Sequence, residues 1–250
     1  MPETKDQNIS LIEPVSMTVV YDNNAFLRDL QTDWGFSCLI GVGKRKLLFD
    51  TGDNGSILMS NLAKLAIDPK NIDTIFLSHY HHDHTGGLAN FLESNASVKI
   101  YYPWSFPEKL INTMIKSGAT LIPVSSFHKI QENIFSLGEI DGAIPEQSMA
   151  VRTTKGIVVI TGCAHPGIIN ILEKAKNFFP GEVISLVLGG FHMYKQTGED
   201  IKDILDKIFN MGILQAAASH CSGDMTRNIL KDNYNQSYVE IGTGKVIKID

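Results

Sequence analysis

Cysteine is scarce in this sequence. Three thiols, Cys38, Cys163 and Cys221, are spread over 250 residues, too few and too scattered for a disulfide framework. No apolar run approaches the ~20 residues that a membrane span needs; stretches such as 156–160 and 186–191 are strand-sized. The opening residues Met1-Pro2-Glu3-Thr4-Lys5-Asp6 are polar, with no apolar segment behind them, so no signal peptide is expected. Lys and Arg do not cluster, and 22 basic against 27 acidic residues leave a net charge of −5, which argues against a nucleic-acid partner. Low-complexity linkers, charge blocks and fixed-period repeats are missing too. The expectation is a cytoplasmic protein that engages neither membrane nor nucleic acid.

What is there is an ordinary apolar complement, 43% hydrophobic against 20% charged residues. That suffices for one domain over 1–250, with 1–13 read as a flexible arm or a dimer contact. Short β-branched runs predict strands at 17–21, 36–42, 46–50, 74–78, 98–102, 120–124, 149–153, 156–161, 183–188, 215–218, 238–241 and 246–249. Hairpin turns are expected at Val42-Gly43-Lys44-Arg45 and Thr153-Thr154-Lys155-Gly156. Helical patterns cover 56–66, 87–94, 107–117, 167–179, 199–210 and 222–231; the clearest carries Ile201, Ile204, Leu205, Ile208 and Phe209 on one stripe before Gly212. Hairpins followed by strand–helix units, run through twice, predict an α/β fold: a four-layer αββα sandwich of two mixed sheets.

The histidines carry the chemistry. Of eight, four fall in His79-Tyr80-His81-His82-Asp83-His84, directly after the strand predicted at 74–78. In extended chain His79 and His81 project to one side; Asp83 and His84 then turn toward a helix expected from Thr85-Gly86-Gly87. Neutral imidazoles with a carboxylate are what zinc, iron or manganese requires. Three more histidines follow predicted strand ends: His165 in Thr161-Gly162-Cys163-Ala164-His165-Pro166-Gly167, His192 in Gly189-Gly190-Phe191-His192, and His220 in Ser219-His220-Cys221-Ser222-Gly223. Carboxyl ends of strands are where α/β sheets build their sites, and four such ends presenting histidine point to a shared ligand. His128, in an undistinguished strand-like stretch, reads as a surface or core residue.

The pattern His79-x-His81-x-Asp83-His84, preceded by Leu47-Leu48-Phe49-Asp50-Thr51-Gly52, resembles the metallo-β-lactamase superfamily. More narrowly, Gly35-Phe36-Ser37, Ser78-His79 and the three later histidine motifs resemble a subfamily labelled metal-dependent hydrolase or dihydropterin-ribofuranosylaminobenzene-phosphate synthase. The resemblance implies a binuclear centre of two divalent metal ions, zinc first, with manganese and iron as alternatives. His79 and His81 would then bind one metal, Asp83 and His84 the other, and His220 would complete the second site. The sequence departs from the common pattern twice: Pro145-Glu146-Gln147-Ser148 contains no histidine, and Cys163 stands where a bridging Asp follows Thr-Gly. Either His165 takes over the missing imidazole's role or Cys163 ligates as a thiolate; a buried structural thiol is the third possibility for Cys163.

On that resemblance Asp83 and His192 are the expected catalytic side chains, Asp83 orienting the nucleophilic water and His192 donating to a developing oxyanion or phosphate. Asp50 is expected to orient a ligand through a hydrogen bond. The Gly86 and Gly87 amides are candidate anion binders; Arg152 and Lys195 read as solvated surface charges, with anion binding as the alternative. The expected activity is a metal-dependent hydrolase acting on a phosphoester, ester or lactone, a small molecule that includes phosphorylated ones. The alternatives are a pterin-pathway condensation at the same centre, an iron redox enzyme, or a metal-binding sensor without turnover. Substrate specificity is expected from 101–146, where Trp104, Phe106, Phe127 and Phe135 offer a pocket lining.

Overall fold

The structure, a computed structural model, describes residues 13–250; apart from Glu13, the expected arm lies outside the described residues. The chain runs β1 (Val15–Asp22), β2 (Phe36–Val42), β3 (Arg45–Phe49), α1 (Gly55–Lys64), β4 (Thr74–Phe76), α2 (His82–Thr85), α3 (Leu88–Ser94), β5 (Lys99–Pro103), α4 (Glu108–Ser117) and β6 (Thr120–Val124). It continues through β7 (His128–Gln131), β8 (Ile134–Ile140), β9 (Glu146–Thr153), β10 (Gly156–Thr161), α5 (Ile168–Phe178), β11 (Ile184–Gly190), α6 (Gly198–Asn210), β12 (Ala216–Ser219), α7 (Gly223–Asn233) and β13 (Val246–Ile249).

Two mixed sheets result, ordered β13-β1-β2-β3-β4-β5-β6 and β12-β11-β10-β9-β8-β7. Each begins with antiparallel hairpins, closed at Val42↔Arg45 and Thr153↔Gly156, and ends in parallel strands. The sheets face each other across one apolar layer, with Met17, Phe36, Ile40, Phe49 and Phe76 from the first meeting Met149, Val151, Val158, Ile160 and Leu188 from the second. On the outer face of the first sheet, Leu58, Leu62, Phe91 and Met114 of α1, α3 and α4 cover Leu48, Ile75 and Ile100. On the outer face of the second, Ile171, Leu172, Ile201, Leu205, Ile208 and Leu230 of α5, α6 and α7 cover Val159 and Val187. The expected four-layer αββα sandwich is therefore present. Parallel strands covered on both faces explain the continuous apolar runs in β10 and β11.

Three readings change. Residues 238–241 form no strand; a lone bridge joins Tyr238 to Ala216. The sequence reading assigned no strand at β8, because its register shifts between Ser136 and Glu139 and Gly138 sits at φ +79°, so the period-two signal is lost. The helix expected from Thr85 begins earlier: His84 and Thr85 both donate their N–H to the His81 carbonyl, which puts Asp83 and His84 on a helical turn. Among the described residues no helix is long and apolar enough to cross a membrane.

Candidate metal centre

Five loops meet at the carboxyl ends of β3, β4, β10, β11 and β12, and Asp50 ties the first two together. Its carboxylate is fully buried and accepts hydrogen bonds from the Ser78 N–H (2.7 Å), the Ser78 hydroxyl (2.7 Å) and His84 Nδ1 (2.7 Å). Asp50 itself is left-handed, at φ +53°, a conformation that Asp tolerates better than most residues. The Thr51 N–H and hydroxyl both donate to the His84 carbonyl. Gly86 and Gly87 make this close approach possible, since a Cβ on either would lie 2.0 Å from the Asp53 carbonyl oxygen or 2.2 Å from that of Thr51. Their N–H groups are already given to the His82 and Gly52 carbonyls, which corrects the expectation that these amides bind an anion.

The histidine tautomers follow from proton counting. The Ser78 hydroxyl gives its proton to Asp50, so it accepts from His79 Nδ1 at 2.9 Å, and His79 Nε2 keeps its lone pair. That nitrogen lies 3.2 Å from His81 Nδ1, which lies 3.2 Å from His165 Nε2. One N–H cannot serve both contacts. A tetrahedral zinc with Zn–N of about 2.0–2.1 Å holds its nitrogens about 3.3 Å apart, which matches both. Burial and the neighbouring imidazoles push His79 and His81 below the usual histidine value, and His165 down to about 3. Three neutral imidazoles are the donor set that a divalent metal takes. His79 and His81 share a side as expected, although β4 has ended at Phe76 and a loop presents them.

A second group comprises Asp83, His84, His220 and Cys163, whose donor atoms all lie within 4.8 Å of one another. Asn23 Nδ2 donates to the His220 carbonyl, which fixes Asn23 Oδ1 as acceptor for His220 Nδ1–H at 3.0 Å. His220 Nε2 then faces Asp83 Oδ2 at 3.1 Å, a contact that either a proton or a shared cation satisfies. Burial alone would raise Asp83; the hydrogen bond from His220 and the charges of His84 and His220 outweigh it and hold the carboxyl well below its usual range. Burial alone would lower His84, yet Asp50 raises it to about 9. Cys163 Sγ lies 3.2 Å from His84 Nε2 and also belongs to a donor group with His79 and His165. The thiol that the sequence left open therefore stands between the two groups, and burial pushes its pKa well up.

Glu146 is the residue that sequence reasoning missed. Its buried carboxylate accepts from the N–H groups of Gly162, Cys163 and Ala164 through Oε1 (3.0 Å each) and of His165 through Oε2 (2.9 Å). It thereby holds the loop that presents Cys163 and His165. The available signal was an acidic residue just ahead of the strand predicted at 149–153, in the segment where a histidine was sought. Burial raises this carboxyl to about 7.

His192 lies at the rim, its ring exposed, left-handed at φ +54° and 4.4 Å from the His165 ring. The Cys221 sulfur beside it raises its pKa. His82 faces outward and pairs with Asp53, and His128 lies on β7 beside Tyr101. Arg152 is engaged by Glu182 in a two-pronged ion pair and packs on Phe135 and Phe179, so it is no free anion binder. Lys195 lies over the Tyr194 ring. Phe106 and Phe135 fill the core and Phe127 stacks on Phe178, while Trp104 is exposed. The aromatic side chains at the centre are instead Trp34, 4.7 Å from the His220 ring, and Tyr194, 5.6 Å from that of His192.

An αββα sandwich with two imidazole-rich donor groups at its strand ends defines a class of metal-site proteins. The comparisons agree: the family described as the metallo-β-lactamase superfamily matches residues 35–118 of the chain. It is 27% identical to 7,8-dihydropterin-6-methyl-4-(β-D-ribofuranosyl)-aminobenzene-5'-phosphate synthase of Methanocaldococcus jannaschii, covering 96% of this chain and 99% of the relative. Among solved structures, a metal-dependent hydrolase of the β-lactamase superfamily superposes with a TM-score of 0.78 at 25% identity, over 94% of this chain and 99% of the other. The short form of human tRNase Z shares the fold, with a TM-score of 0.63 at 15% identity over 94% and 99% of the two chains.

Proposed function

We propose that this chain is a metal-dependent hydrolase acting on a small phosphoester, ester or lactone. His79, His81 and His165 would hold one divalent metal and Asp83, His84 and His220 a second, with Cys163 as a shared thiolate; zinc suits this mixture of imidazole, carboxylate and sulfur. Bound there, the metals supply Lewis acidity and make water nucleophilic near neutral pH. Asp83, ionised and partly open to solvent, orients the attacking water and takes its proton. His192, raised by Cys221, donates to the oxygen that gains charge. Asp50 and Ser78 keep the imidazoles in the tautomers that leave Nε2 free on His79 and aim His84 inward. Trp34 and Tyr194 wall the approach.

The observation that carries this reading is the pair of 3.2 Å contacts to His81 Nδ1, which hydrogen bonding satisfies only once. Its test is elemental mass spectrometry on protein purified without added metal or chelator, followed by phosphoester and lactone assays. About two equivalents of zinc or manganese per chain, with turnover lost in His79→Ala and Asp83→Ala, supports it. Predominant iron would replace it with the redox reading, and full turnover in either variant would overturn it. End-to-end similarity to the methanogen synthase favours one second reading, condensation at the same centre. Formation of the product in that relative's name, without hydrolysis of any panel compound, would select it.

A further inference from the structure

Cys163 and Cys221 end the loops after β10 and β12, which lie on either side of β11. Two ladder steps separate such strands by about 9–10 Å, so side chains at their ends do not ordinarily meet. Here the chain curls over Gly190 until Cys163 Sγ, Cys221 Sγ and a His192 ring nitrogen lie within 4.8 Å of one another. Gly190 is what permits this: a Cβ there would lie 2.6 Å from Cys221 Sγ and 3.1 Å from the Cys163 Cα. Cys221 Sγ is directed toward the Cys163 carbonyl at 3.6 Å. The third thiol, Cys38, is elsewhere, buried between the sheets.

We propose that Cys163 and Cys221 form an oxidative modification site, closing to a reversible disulfide under hydrogen peroxide. One thiol sulfur attacks peroxide and becomes a sulfenic acid with release of water; the second thiol displaces its hydroxyl as a further water, so two thiols and one peroxide give one disulfide and two waters. A cleft of about 260 Å³ is lined by His165, Phe191, His192 and by Ala164, the residue next in sequence to Cys163. A disulfide needs its sulfurs about 2.05 Å apart, so closing it draws Cys163 Sγ away from His84 Nε2, 3.2 Å distant in the reduced chain. Resting on the functional reading above, that movement removes the one ligand common to both donor groups and makes the centre sensitive to peroxide.

The test treats the full chain, stripped of metal by chelation, with an equivalent of peroxide, then alkylates free thiols under denaturing conditions and maps the peptides. The expected product has lost two hydrogen masses, links Cys163 to Cys221, leaves Cys38 alkylated and reverts with dithiothreitol. Cys221→Ala should form no link and, given at least two equivalents of peroxide, should instead accumulate sulfinic acid at Cys163 that dithiothreitol does not reverse. Alkylation of both Cys163 and Cys221 after treatment, or a link through Cys38, would overturn the proposal. Zinc-loaded protein separates the two claims: once linked, it should release about half of its zinc or more. A link with all zinc retained leaves the disulfide standing and refutes Cys163 as a ligand.

Discussion

The two donor groups lie side by side yet differ in how ready they are for a cation. His79, His81 and His165 are held neutral by burial and by each other. In the other group, Asp50 keeps a proton on His84 up to about pH 9, and burial keeps one on Cys163. A metal displaces protons where it finds them. The first group is thus preformed and the second is gated by pH, even though both hang from the same Asp50–Ser78 anchor.

The strongest way to break the contrast is to remove the anchor. Asp50→Ala leaves the Ser78 N–H and His84 Nδ1 without their buried partner and should cost about 3–5 kcal/mol in urea unfolding, with neither group retaining metal. His79→Ala should sharpen the contrast. Metal content should fall by about one equivalent and the remaining metal should stay pH-dependent, a loss in affinity beyond the ~10–100-fold typical of outer partners; circular dichroism should show the fold intact. Glu146→Gln falls within that 10–100-fold range by equilibrium chelator competition, and for both groups, because the loop it holds carries His165 and Cys163. The smallest effect is in proton release. Calorimetry at pH 7.5 in buffers of different ionisation enthalpy should show about two protons released on loading the second group, from His84 and Cys163, and no more than the one Cys163 proton on loading the first. Equal release from both would remove the distinction.

Much of the fold was legible because its period-two runs and amphipathic helices are regular: β2, β6, β10 and β13 have the bounds that the sequence implies. β8 escaped because a bulge breaks its alternation, and 238–241 misled because Val239 and Ile241 pack into the layer between the sheets without pairing as a strand. The histidines at strand ends were legible because an imidazole cluster has few other uses. Glu146 was not, since its role depends on four backbone N–H groups sixteen to nineteen residues away that only the β9–β10 hairpin brings to it. Nor was the aromatic wall: Trp34 reaches the centre from the β1–β2 loop, far in sequence from any histidine, whereas Phe106 and Phe135 of the region from which specificity was expected are buried in the core.

The central claim is that one sulfur serves both donor groups, and zinc K-edge X-ray absorption on the fully loaded chain tests it most directly. The account predicts a sulfur shell at about 2.3 Å alongside nitrogen and oxygen at about 2.0–2.1 Å, lost in Cys163→Ser and kept in Cys221→Ala. A fully loaded chain whose zinc sees only nitrogen and oxygen would contradict it.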